Sequence, residues 1–237
     1  MTRTPIWQAI SDSLRTDIAD GHYAPGDRLP TEAALSARFG VNRHTVRRAL
    51  AALAEAGLVH PRRGAGVFVT LRPTDYPIGR RVRFRQNLAA AGRIPAKTIL
   101  ALETRAGDAR ETEALRLPEG AAVHAYEGLS LADGLPIAVF TSVFPADRFP
   151  TLPRDLEETL SVTEALARGG VADYTRASTR LDARPASATQ ALHLRCAENA
   201  PLLRTVGINV DPEGVPVEYG RTWFAGDRVT LTVGDCG

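Results

Sequence analysis

Apolar residues at Ile6, Ile10, Leu14 and Ile18 recur at every fourth position of an otherwise polar stretch. That period predicts an amphipathic helix over 5–20, with Pro5 suited to its first turn and Gly21 to its stop. The turn-rich run Tyr23-Ala24-Pro25-Gly26-Asp27-Arg28-Leu29-Pro30 leads to Thr31, whose side chain suits the cap of a helix from Glu32 through Leu35 to Phe39. Gly40 ends that helix. A third is expected from near Asn42 to about Ala56, closed by Gly57 where a left-handed residue is needed. At about 100° per residue, Val46, Ala49, Leu50 and Leu53 form its apolar stripe, and Arg43, His44, Arg47 and Arg48 fall opposite. Two short helices joined by Phe39-Gly40-Val41-Asn42 have helix-turn-helix dimensions. Two β segments, 58–60 and 66–69, then flank the tight basic turn Pro61-Arg62-Arg63-Gly64-Ala65 and add a wing.

Further on the period changes to two. Strand-like runs occupy 98–104, 122–131, 137–144, 175–183, 202–209 and 215–224, with hairpin turns at Ala132-Asp133-Gly134 and Asp211-Pro212-Glu213-Gly214. Helical stretches at about 108–116, 155–168 and 186–194 separate them, and 86–91 reads as a short helix stopped by Gly92. The whole is a mixed α/β chain: a winged helix-turn-helix over 1–71, a proline-rich linker over 72–82, and an α+β domain with a mostly antiparallel sheet over 83–237.

Charge is distributed unevenly. The net +2 divides into +4 over 1–72, +4 over 73–95 and −6 over 96–237. A basic head on an acidic remainder suggests that the head meets a polyanion. The outer side of the third helix carries three guanidiniums and an imidazole, with no acid along that helix until Glu55. Such a face repels itself in isolation, and duplex DNA relieves the repulsion; a solvated basic face is the plainer alternative. No run of about 18 apolar residues exists, and the first residues lack the apolar core of a signal peptide, so a cytoplasmic protein without a membrane partner is expected. Cys196 and Cys236 lie far apart with no His or Cys partner at ligand spacing, so neither a disulfide framework, a metal nor another cofactor is expected.

The runs 25–32, 39–50, 57–58 and 64–69 resemble, without gaps, the DNA-binding domain of the GntR family of transcriptional regulators. The resemblance implies that Arg28, Thr31 and Glu32 lie at the phosphate-binding start of the second helix. It further implies that Asn42, Arg43, His44, Thr45, Arg47 and Arg48 enter the major groove, with Arg43 and Arg47 suited to grip guanine. Arg62, Arg63, Gly64 and Gly66 would form the minor-groove tip. Ala33 stands where some relatives carry an Arg, so their operators do not transfer.

The second half, with Asp133-Gly134-Leu135-Pro136-Ile137, the run 161–166 and Val217-Glu218-Tyr219-Gly220-Arg221, resembles the effector-binding UTRA domain of the HutC-type branch, a chorismate-lyase-like fold. The runs 42–49, 72–77 and 83–88 resemble the branch's regulators of phosphonate use. The resemblance implies a homodimeric repressor on a pseudo-palindromic operator, controlled by a small, anionic, phosphorus-containing metabolite. The expected effector residues are Arg83, Phe84, Arg85, Asn87 and Ser161, with Glu218, Tyr219 and Arg221 facing them from the last hairpin. Gly128 and Ser130 stand where many relatives carry two Arg, so an anion would be held by Arg83, Arg85 or Arg221. Contact of Arg80 to Arg85 with DNA phosphate, or plain solvation, is the competing reading of those charges. So is a regulator of another catabolic pathway, sugar or amino-acid derived. The competing class is an enzyme using Glu127, Glu218 and Tyr219 for acid-base work, but no HExxH, P-loop or GxSxG elbow accompanies them.

Overall fold

The computed structural model describes residues 5–62, 64–70, 73–81 and 83–233. Two compact units, Met1–Arg72 and Pro73–Gly237, make up the chain.

The first unit holds α1 (Ile6–Ala19), α2 (Glu32–Phe39), α3 (Arg43–Glu55), β1 (Val59–Arg62) and β2 (Gly66–Val69). Its helices start and stop where local chemistry dictates. The Thr31 side chain accepts from the Ala34 amide, and Gly40 takes the left-handed conformation at φ 64°. Asn42 Oδ1 accepts both the Thr45 amide at 2.9 Å and the Thr45 hydroxyl at 3.0 Å, so these two side chains build the start of α3. The core joins Leu14, Leu35, Val46, Ala49 and Leu53, all fully buried, each apolar side chain contributing roughly 1.5–3 kcal/mol. Ile6, placed on the buried stripe by periodicity, is 64% exposed, and Trp7 beside it packs against the core at this end of α1 instead. The hairpin pairs Val59 with Val69 and Arg62 with Gly66, so β1 runs on through Pro61 and Arg62, which the sequence assigned to the turn. Backbone bonds from the Leu29 amide to the Val67 carbonyl and from the Val69 amide to the Asp27 carbonyl add 27–29 to its edge. Arg63 lies outside the described residues.

In the second unit, one six-stranded antiparallel sheet runs in the order β4-β5-β6-β9-β8-β7. Its strands are β4 (Pro95–Ala106), β5 (Ala122–Ala132), β6 (Leu135–Pro145), β7 (Thr175–Pro185), β8 (Pro201–Val210) and β9 (Pro216–Ala225). Asp133 at φ 50° and Gly134 at φ 77° make the tight β5–β6 turn that their dipeptide promises. Helices α5 (Ala109–Leu115) and α8 (Ala188–Leu194) pack on one face through Leu115 with Val123 and Val143, and through Ala191 with Leu202. On the other face lie α4 (Phe84–Ala90), α6 (Leu152–Thr159) and α7 (Val162–Arg168), through Leu88, Leu156 and Leu166.

Two expectations need correction. Residues 155–168 form two helices, because Leu160 turns left-handed at φ 51° and the Ser161 side chain caps α7 by accepting from the Glu164 amide. The expected linker 72–82 contains a strand, β3 (Thr74–Pro77), paired in parallel with β10 (Val229–Thr232). Prolines are tolerated there because each strand of this pair has an unpaired edge. Residues 72 and 82 themselves lie outside the described ones.

His124 is buried on β5, with Nδ1 2.8 Å from the Thr104 hydroxyl and Nε2 3.1 Å from the Phe149 carbonyl. A carbonyl only accepts, so Nε2 carries the proton and Nδ1 accepts from Thr104 in the neutral ring. Burial holds the imidazolium below its ordinary range, against the opposing pull of the Phe149 carbonyl. A group with a depressed folded value contributes stability that is complete above its unfolded value of about 6.5 and is lost as pH falls through the folded one. The thermal midpoint is therefore expected to drop between about pH 7 and about pH 5, with a shallower drop in His124→Gln, measured by calorimetry across that range.

Candidate nucleic-acid interface and ligand cavity

Arg43, His44, Arg47 and Arg48 all lie on the exposed side of α3, opposite Val46, Ala49, Leu50 and Leu53. The face is less self-repelling than its own helix suggests. Glu32, at the start of α2, accepts a fork from Arg47, Nε to Oε1 at 3.1 Å and Nη2 to Oε2 at 2.9 Å. That hydrogen bond, with the nearby charges of Arg47, Arg43 and His44, holds the Glu32 carboxyl below its usual range. Arg48 lies with its guanidinium carbon 4.6 Å over the Trp7 ring of α1, which sets it to the flank of α3.

The wing carries its cations on aromatic supports. The Arg62 guanidinium carbon sits 4.8 Å over Phe68, which also stacks on His60 at 6.0 Å between centroids. Arg28 joins the wing by a backbone bridge to Phe68, and its side chain lies across Gly66. Gly66 has φ 111°, and a Cβ there would stand 2.7 Å from Arg28 Nε, so only glycine permits that approach. Gly64 also takes positive φ, at 75°.

In the second unit a cavity of about 430 Å³ opens between the sheet and the elements α4, α6–α7 and β3. Of the expected effector residues, Arg83, Phe84, Arg85, Ser161 and Glu218 line it. Three do not. Successive residues of a strand point to opposite faces, so Glu218 and Thr222 face the cavity while Tyr219 and Arg221 face α5. There Tyr219 packs beside Val143, and Arg221 lies 3.7 Å from Glu111, which is itself buried and gripped by Arg105 at 2.6 and 2.9 Å. Asn87 turns to the backbone, its Nδ2 donating to the Pro77 carbonyl at 3.1 Å. The acid-base trio is likewise dispersed: Glu127 is exposed, and Tyr219 lies through the sheet from Glu218.

The sequence reading missed two cations of this cavity, Lys97 and Arg176. Lys97, the chain's single lysine, lies with its ammonium 4.6 Å from the Phe140 ring centre and 5.3 Å from that of Phe84. Burial brings it down to about 8, Glu218 opposing and Arg85 adding to the shift. Arg176 faces inward together with Thr179 because a bulge between 176 and 178 resets the alternation of β7. Its side chain lies across Gly207, where any Cβ would collide with the guanidinium. Arg83, its side chain 10% exposed, stacks 3.7 Å over Tyr174 and donates through Nη2 to Asp173 at 3.1 Å and to the Tyr174 carbonyl at 2.9 Å. Arg83 Nη1 and Arg176 Nε are buried without a hydrogen-bond partner. Buried donors in that state are costly, and both guanidiniums belong to the lining of the cavity. Among the described residues no cluster of three His, Cys, Asp or Glu is placed to hold a metal ion, and no helix is long and apolar enough to cross a membrane.

Residues 7–69 match the gntR family of bacterial regulatory proteins, and residues 90–230 match the UTRA domain. The HTH-type transcriptional regulator RB1450 of Rhizobium meliloti (strain 1021) is 40% identical over 96% of this chain and 94% of its own. The probable transcriptional regulator PhnF of Escherichia coli (strain K12) is 35% identical over the same shares, 96% and 94%. The crystal structure of PhnF from Mycobacterium smegmatis superposes with a TM-score of 0.65 at 27% identity, covering 95% of this chain and 98% of that one.

Arg47→Ala removes the guanidinium that Glu32 holds in place. Binding to the preferred duplex is expected to weaken roughly 5- to 150-fold, with discrimination lost at one base pair, as measured by fluorescence anisotropy on a set of single-base operator variants. Equal weakening on every duplex would place Arg47 on the phosphate backbone instead.

Proposed function

Since the chain belongs to the GntR family of bacterial regulatory proteins and carries a UTRA domain, we propose that it is a homodimeric repressor of phosphonate uptake and breakdown genes, controlled by an anionic phosphorus-containing metabolite. The observation that carries the ligand reading is the cavity of the second unit. Arg83, Arg85, Lys97 and Arg176 gather around it against two lining acids, Glu164 and Glu218, and two guanidinium nitrogens have no protein partner. That surplus of positive charge fits a phosphonate or phosphate group. The pathway is supported by the runs 42–49, 72–77 and 83–88, which resemble regulators of phosphonate use, and by relatives bearing the name PhnF.

On the DNA side, Arg43, Arg47 and the wing residues Arg28 and Arg62 supply the charge, and the α3 face supplies the groove-reading surface. A two-fold dimer requires a two-fold site, with adjacent half-sites about one helical turn, near 34–36 Å, apart. Regulation needs the ligand to bind the free and DNA-bound states unequally, by about 1–3 kcal/mol for a typical switch. The test is anisotropy on an inverted repeat from the chain's own intergenic region, titrated with phosphonates and with sugar phosphates. Phosphonates are expected to shift operator affinity roughly 5- to 150-fold, with two chains per duplex in sedimentation. A shift by sugar phosphates alone would move the chain to another catabolic pathway, and a monomer on saturated operator would end the dimer model.

A further inference from the structure

The cavity holds a carboxylate that a purely anionic ligand leaves unexplained. Glu218 is 9% exposed, and both its oxygens accept from neutral donors, Oε1 from the Ser142 hydroxyl at 2.6 Å and Oε2 from Asn209 Nδ2 at 2.5 Å. Among the described residues it forms no ion pair within 4.0 Å, although four cations line the same cavity. A buried carboxylate without a touching cation is unfavourable, and its oxygens accept about four hydrogen bonds in all, so capacity remains. Lys97 feels the charge of Glu218 across the cavity but makes no ion pair with it, and its ammonium lies against the rings of Phe140 and Phe84.

Strand register fixes where the opposite charges stand. Arg176 of β7 pairs with Asn209 of β8, and Asn209 pairs with Glu218 of β9, so the three form one row across adjacent strands. Two strand spacings separate the backbones of Arg176 and Glu218, about 10 Å. The Arg176 backbone stands at the β7 end of this row and its unpartnered guanidinium edge reaches over Gly207 of β8, while Arg83 stacks on Tyr174 just before β7. The carboxylate lies at the β9 end, and Asn209 stands between. In the next row Gly207 pairs with Gly220, and the absence of a side chain at Gly207 is what lets the Arg176 guanidinium reach over β8 toward the β9 side.

We propose that the ligand of this cavity is a short zwitterion, a phosphonate whose anionic group lies on Arg83 and Arg176 and whose primary ammonium, a few bonds away, lies on Glu218. This rests on the phosphonate reading above and sharpens it to aminoalkyl phosphonates. The ammonium supplies Glu218 with the cation it lacks, and Asn209 and Ser142 hold the carboxylate in position as positioning residues.

The test compares 2-aminoethylphosphonate with ethylphosphonate, which differ only by the amine, by isothermal titration of the full chain. The wild type is expected to bind the amino compound at least tenfold more tightly. Glu218→Gln, isosteric and able to keep the Ser142 bond, is expected to bring the two affinities together by weakening the amino compound alone. Equal affinities in the wild type overturn the proposal without reference to any variant. So does a preference that persists in Glu218→Gln, or equal weakening of both ligands there, which would make Glu218 a counter-charge for Lys97. Failure of both compounds to bind the wild type overturns the phosphonate reading itself and this inference with it.

Discussion

The hydrogen-bonded register of β9 between β6 and β8 governs the second unit's chemistry. With Asn209 opposite Glu218 and Gly220 opposite both Ser142 and Gly207, residues 218, 220 and 222 face the cavity and 219, 221 and 223 face the opposite helices. A slip of one residue exchanges the two sets. Glu218 would then meet the α5 side, where Glu111 already occupies the Arg105 guanidinium, and Arg221 would enter a cavity already rich in positive charge. The apolar side chains of β9 itself, Phe224 on the cavity face and Tyr219 and Trp223 packed toward α5 and α8, would exchange faces as well, which makes that slip expensive.

The same electrostatic logic runs through the first unit with the opposite outcome. There the charges are solvent-exposed, and the local devices arrange them instead of burying them. Glu32 holds Arg47, Trp7 carries Arg48, and Phe68 carries Arg62. Exposed pairs of this sort add little to stability, but they narrow the range of positions of long flexible side chains. A pre-arranged guanidinium loses less freedom when it meets a base edge or phosphate, which is the condition for sequence discrimination. The acid that restrains Arg47 also offsets part of the face's positive charge, so the α3 surface is ordered while still basic.

Both units thus present positive groups to anions, and they differ in dielectric surroundings. The charges of α3 and the wing stand in water, where salt screens attraction to a polyanion and such binding weakens as counter-ions compete, roughly 0.9 log unit per log unit of salt for each phosphate neutralised. The guanidiniums of the cavity are half-buried or buried with unfilled hydrogen-bonding capacity, surroundings in which salt screens charge far less.

The sequence by itself determined what depends on near neighbours. The cap at Thr31, the stops at Gly40 and Gly57, the outward basic face of α3 and the Asp133-Gly134 turn were all legible, because each is decided within a few residues by side-chain bonding or by φ, whereas the Leu160 turn and Ser161 cap that split 155–168 were not. Six strands of the large sheet were legible from their period of two. Tertiary structure alone decided which side of each strand faces the cavity, because bulges at 176–178 and 209–210 reset the alternation. It also brought in Lys97 and Arg176, paired β3 with β10, and set Glu32 on Arg47, contacts between residues as far apart as 15 to about 155 positions. Those partners are chosen by the packing of whole elements, and a period read along one strand carries no information about which neighbour lies beside it.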